Sequence, residues 1–131
     1  MSVGYDIRAL LASAGIAAQV NNVDDGVQNT VAVMETSGFQ PIRCHSGTQA
    51  ALIIDRPSFQ ILVRNSSKPA ATALIEQIIG VLDGIAGQEI NGEYYISVMM
   101  ASSPMYLGRV QTMAGETNEY SINFDTQKTR S

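Results

Sequence analysis

Between Asp55 and Asp125 the spacing of the apolar residues changes from strand-like to helix-like and back, and no other feature limits the fold so narrowly. Phe59, Ile61 and Val63 alternate with Gln60, Leu62 and Arg64, the two-residue repeat of a strand whose side chains point to opposite faces. Pro57 holds the residue before it in extended geometry at the start of that run. Ala71, Leu74, Ile75, Ile78, Leu82 and Ile85 then recur at three- and four-residue steps, the pattern of a helix with one apolar face. Ser66, Ser67 and Pro69 supply a capping hydroxyl and a proline in the first turn, so the helix is expected from about Pro69 to Ile85 and to end at Ala86-Gly87. Asn91-Gly92 makes a tight turn into a strand from Tyr94 to Ala101, with Tyr94, Ile96, Val98 and Met100 on one face. A last strand puts Tyr120, Ile122 and Phe124 on one side and Ser121, Asn123 and Asp125 on the other.

The first half is less regular. Val3, Ile7, Leu10 and Leu11 predict a helix over Ser2 to Ala14, stopped by Gly15. Ile16 to Val20 reads as a brief strand, and Asn21-Asn22-Val23-Asp24-Asp25-Gly26 as a hairpin or exposed loop. Thr30 to Glu35 is a β-branched strand bounded by Asn29 and Ser37-Gly38, and Gln49 to Asp55 reads as another. The order predicts an α+β fold, a mainly antiparallel twisted sheet flanked by an N-terminal helix and one long central helix. Its expected core sets Leu74, Ile78, Leu82 and Ile85 against Phe59, Ile61, Val63, Ile96, Val98, Ile122 and Phe124. One domain is expected over 1–131, since a chain of 131 residues buries roughly two thirds of its unfolded surface. Residues 102–118, with Pro104, Gly108 and Gly115 and no steady period, read as a protruding arm, because so long an irregular connection is uncommon without a task. Residues 126–131 read as a polar tail.

Charged residues make up 15% of the chain against 45% hydrophobic, below the roughly 25% charged of an average domain, which predicts surface covered by partners. The net charge of −4 and eight scattered basic residues argue against direct nucleic-acid binding, which needs clustered Lys and Arg to displace counterions. A lone cysteine, Cys44, excludes an intrachain disulfide and a cysteine-based zinc cluster, and fits a reducing compartment. The start Met1-Ser2-Val3-Gly4-Tyr5-Asp6-Ile7-Arg8 does not read as a signal peptide. No apolar run approaches the roughly 20 residues of a membrane span.

The residues offer no catalytic set. Cys44-His45 is the one meeting of thiol and imidazole, yet neighbours in an extended chain point apart and share a proton poorly. One histidine leaves no multi-histidine metal site. Asn21, Asn22, Asp24 and Asp25 lack the closing bidentate Glu of a calcium loop and read as a solvated turn. Glu116 and Glu119 read as surface acids, with nothing to raise either pKa. Neither a Gly-rich phosphate loop nor a nucleophile elbow is present. No enzyme, metal or cofactor is expected. Met99, Met100, Met105, Tyr106, Leu107 and Met113 instead surround the arm, and methionine and tyrosine suit surfaces that adapt to a partner.

Arg56-Pro57-Ser58-Phe59-Gln60-Ile61-Leu62-Val63-Arg64, the helix after it, Tyr94-Tyr95-Ile96, and Pro104-Met105-Tyr106-Leu107-Gly108-Arg109 leading into Tyr120-Ser121-Ile122-Asn123-Phe124 together resemble the tail terminator family of long-tailed bacteriophages, also labelled minor capsid or head-tail joining proteins. The resemblance covers about Asp55 to Thr126, and departs from many members at Val110-Gln111, where they carry an acid. It implies a structural virion protein of the tail neck, made in the host cytoplasm. It further implies a ring of identical subunits, a hexamer, that caps the tail tube, stops its polymerisation and meets the head connector or stopper protein, with DNA only in passage and no membrane. Pro104, Met105, Tyr106, Leu107, Gly108 and Arg109 are the expected partner interface, and Asp24, Asp25 and Glu35 the expected channel lining. Two alternatives stay open: another ring or tube-related protein at the same junction, and a small α+β ligand-binding domain or enzyme.

Overall fold

The computed structural model describes residues 2–44 and 52–130. Its elements run α1 (Val3–Ser13), β1 (Gln19–Val20), β2 (Thr30–Cys44), β3 (Leu52–Asn65), α2 (Lys68–Leu82), β4 (Ile85–Ile90), β5 (Glu93–Met100), β6 (Met105–Thr112) and β7 (Gly115–Thr129). The strands form one sheet in the order β1-β2-β3-β7-β5-β4, with β6 also paired to β7. Every pairing is antiparallel except that of β1 with β2. The α+β class with a mostly antiparallel, curled sheet is as expected.

Both helices lie on one face of that sheet. Val3, Ile7 and Leu11 of α1 and Ala71, Ile75, Ile78 and Leu82 of α2 are buried, in one cluster with Val33, Phe59, Ile61, Val63, Val98, Ile122 and Phe124. The four-residue steps of the sequence are thus the contact stripe. Phe59 and Phe124, paired across β3 and β7, stack with ring centroids 5.1 Å apart, an arrangement that adds about 0.5–1.5 kcal/mol beyond area burial. Burying one such aliphatic or aromatic side chain contributes about 1.5–3 kcal/mol.

Several expectations need correction. There is no long central helix: α2 has 15 residues and α1 has 11. Ser67 caps α2 by accepting the Ala70 N–H at 3.3 Å. Gly84 then turns the chain at φ +86, a conformation costly for other residues, so Ile85 opens β4 instead of closing the helix. The strand at Thr30 does not stop at Ser37-Gly38 but runs on to Cys44 through two register shifts. A Cβ at Gly38 would fall against the Arg56 carbonyl. The two strands expected around Gln49–Asp55 and Phe59–Val63 are one strand, β3, in the part the structure describes; residues 49–51 and His45 lie outside it. The face expected for Tyr94, Ile96, Val98 and Met100 is broken, because a register shift against β7 between Tyr95 and Ser97 brings Tyr95 and Val98 inward and leaves Tyr94 exposed. The polar tail from 126 is mostly strand, as β7 continues to Thr129.

The largest correction concerns 102–118. It is a β-hairpin, with Met105–Thr112 pairing Gly115–Ser121. Strand β5 pairs the far half of the same edge of β7, from Phe124 to Lys128, so β5 and β6 lie in line, interrupted at Ala101–Pro104. No two-residue repeat marks β6, because its only buried residue is Thr112. Backbone pairing, not burial, makes it a strand.

Candidate assembly surface

Among the described residues, no helix lies on the side of the sheet away from α1 and α2, although Ser58 and Ser121 on that side are themselves buried. By register that side presents Ser58 and Asp125, Met99 beside Asp125, and Met105 beside Ser121. Met99 and Met105 are among the most exposed large apolar side chains described. Along the same strand, Leu107 is the extra residue of a bulge between Tyr106 and Gly108, where Gly108 takes φ +116. The bulge turns Leu107 outward.

Tyr106 belongs to the helix side. Its hydroxyl donates to Asn118 Oδ1 at 3.1 Å, its ring meets that of Tyr120 at 5.1 Å, and Lys68 Nζ sits 4.9 Å from its centroid. Pro104, Tyr106 and Tyr120 face Ile75 and Ile79 of α2 across a groove of about 420 Å³. Arg109 pairs with Glu116 across the hairpin at 3.1 Å. Both ends of that pair are exposed, so it contributes at most about 1 kcal/mol. The residues from Pro104 to Arg109 therefore divide between the two sides of one strand.

The three acids expected along a channel are engaged differently. Asp25 accepts from Arg64 at 2.6 Å, and Glu119 binds the same guanidinium at 2.7 Å. Glu35 accepts from the Gly4 N–H at 2.9 Å and the Asn21 amide at 2.7 Å. Burial pushes its pKa up, but the bonds from Gly4, Asn21 and Ser2, with the charge of Lys128, together outweigh burial and hold it below the ordinary value. Asp24 accepts the Gly26 N–H at 2.8 Å and has no cation partner among the described residues. Glu35 braces the corner of α1 and β2, whereas Asp24 and Asp25 flank the β6–β7 turn, where the Met113 N–H donates to the Asp25 carbonyl at 2.8 Å.

A buried polar cluster is absent from the sequence reading. Asp6 of α1 and Tyr95 of β5 are both fully buried; the Tyr95 hydroxyl donates to Asp6 Oδ2 at 2.6 Å and the Asn91 amide to Oδ1 at 3.2 Å. Burial, then the bond to Asp6, pushes the Tyr95 phenol far above its ordinary pKa. The cluster ties α1 to the β4–β5 turn. Its one sequence signal is an acid at the three-residue step between Val3 and Leu10.

Among the described residues, no group of three His, Cys, Asp or Glu is arranged to hold a metal. No described helix is long and apolar enough to cross a membrane. Two helices thus lie on one face of a curled sheet, and strand β6 exposes Met105, Tyr106 and Leu107. The model of the family described as "Bacteriophage tail terminator protein" matches residues 10–130, and the chain belongs to that family. It is thus a structural protein of a phage tail and a virion component, in a family of structural proteins and not of enzymes. A chain of the "Virion of native gene transfer agent (GTA) particle" has a similar fold, with a TM-score of 0.54 over 96% of this chain and 90% of that chain, at 15% identity. No curated protein sequence matches.

Proposed function

We propose that six copies of this chain close into a ring that caps the tail tube, ends its polymerisation and presents its other face to the head connector or stopper protein. The observation that carries this reading is the family match over residues 10–130. The exposed Met99 and Met105 on the sheet face away from the helices and the outer edge of β6 supply surfaces of the required kind, since a cyclic ring joins two different patches on each subunit. Met105, Leu107 and Arg109 are proposed to contribute to contact with a neighbouring subunit or the tube, with Gly108 and Pro104 setting the shape of the strand. DNA passes through the lumen without being held, in keeping with a net charge of −4 and the cation clusters that phosphate binding needs.

The test joins mass to activity. Native mass spectrometry of the full chain should give a sixfold species, and adding it to polymerising tube protein should fix tube length. A monomer that leaves tube growth unchanged overturns the reading. Measurable affinity for duplex DNA at physiological salt overturns the passive lumen.

A further inference from the structure

The turn joining β6 to β7 carries Met113, whose side chain is 89% exposed. The positive φ of the turn falls on Gly115, at +125, and not on Met113 or Ala114, so most residues fit its tip, and a large apolar side chain held out there gains the fold nothing by burial. Nor is the turn loose. Besides the bond from Met113 to Asp25, the Thr112 hydroxyl donates to the Gly115 carbonyl at 2.6 Å and accepts the Ala114 N–H at 3.2 Å. The Gln28 amide donates to the Glu116 carbonyl at 3.2 Å. Val27, on the loop that braces the tip, is also exposed. An apolar anchor is thus held out on a backbone already ordered, which lowers the entropy lost on docking. Beside it, Asp25 and Glu116 are paired with Arg64 and Arg109, which leaves Asp24 as the acid with no cation partner among the described residues.

At the other end of β7 the sheet face away from the helices holds a cleft of about 340 Å³, lined by Phe39, Met99 and Met100 and by polar residues that include Arg56, Asp125 and Gln127. Phe39 and Met99 are each 57% exposed. The Arg56 guanidinium lies 5.4 Å from the Phe39 ring centroid and donates Nε to the Gln40 carbonyl at 2.7 Å, and it has no carboxylate partner among the described residues. Asp125, on the β7 side of the cleft, accepts the Ser58 hydroxyl at 2.8 Å. The cleft therefore has an apolar part, made by Phe39, Met99 and Met100, with the Arg56 charge on the β3 side and the Asp125 carboxylate on the β7 side.

We infer that the Met113 tip of one copy seats between Phe39 and Met99 of the next copy, with Asp24 turned toward Arg56. The apolar anchor meets the apolar part of the cleft, and Asp24 and Arg56 are of opposite sign. The two patches differ and lie at opposite ends of β7, so the contact is head to tail and repeats from copy to copy. The inference rests on the ring reading above and names the surfaces that build it.

Met113→Asp and Met99→Asp, each in the full chain, test it by native mass spectrometry alone and mixed. Circular dichroism checks that these exposed substitutions leave the fold intact, and Met113→Leu should keep the wild-type oligomer. Each aspartate variant alone should fall to the 14.0 kDa monomer. An equimolar mixture should form a one-to-one dimer, because Met113→Asp keeps the cleft and Met99→Asp keeps the tip. A mixture that stays monomeric overturns the contact, as does a Met113→Asp variant that still closes rings; in both cases the ring reading survives if the wild type closes. Rings of Met113→Asp that no longer stop tube growth would assign the tip to the tube and overturn the inference. A monomeric wild type overturns both.

Discussion

Tyr95→Phe removes one oxygen that has no water-accessible surface around it on Tyr95 or on its acceptor Asp6. The ring remains and leaves no cavity, so the change isolates the bond from the Tyr95 hydroxyl to Asp6 at 2.6 Å. Both residues are fully buried, and among the described residues the carboxylate keeps only the Asn91 amide at 3.2 Å. A hydrogen bond to a charged group contributes about 1.5–3 kcal/mol, and a buried group left short of partners lies at the upper end of that range. The expected loss is therefore about 2–3 kcal/mol. With a urea m-value of about 2 kcal/mol/M, that moves the denaturation midpoint down by roughly 1–1.5 M. Circular dichroism in urea at neutral pH, at two protein concentrations so that assembly does not enter, reads the shift directly. Asp6→Ala and the double variant complete a cycle, in which the coupling energy should account for most of the single loss. A Tyr95→Phe midpoint within about 0.3 M of wild type, or a coupling near zero, would refute the claim that this bond ties α1 to the sheet.

Further outcomes follow from the same geometry. Ile78→Ala and Leu82→Ala, both at fully buried positions, should each cost about 2–5 kcal/mol, and unchanged denaturant midpoints would show that α2 does not pack as described. Gly38→Ala should destabilise by about 1–3 kcal/mol through forced displacement of the β2–β3 crossing, read as a fall in thermal midpoint; an unchanged midpoint would mean the bulge opens freely. For Glu35 the folded pKa lies below its ordinary 4.5, so its contribution is present above that value and lost as pH falls through the folded one. Glu35→Gln should accordingly flatten the acid limb of a stability-against-pH curve, and a limb as steep as wild type would contradict the assignment.

Legibility followed burial. The stripe on α2 and the alternation of Ile122 with Phe124 could be read because each buries one face, and Asn91-Gly92 because both residues take positive φ, 52 and 84, which few other pairs tolerate. Strands β4 and β6 could not, since most of their side chains are exposed and their conformation is set by partners far along the chain. Strand β2 continues through Pro41 because, among the described residues, its outer side is paired only near Ala32 and Val33, and a proline on an unpaired edge forfeits no ladder bond. The inward turn of Tyr95 depends on a bulge that no local pattern announces. Of the candidate surface, the residue types Met105, Tyr106 and Leu107 were legible; their division between two sides of one strand was not.

Strand β6 has one buried side chain, Thr112, and, apart from Gly108 with its φ of +116, owes its conformation to main-chain bonds that any residue but proline can make. The core therefore exerts almost no selection on Met105, Leu107 or Gln111. Substitution there is answerable only to whatever covers the strand, so this stretch can drift in step with a changing partner while the fold beneath it stays the same.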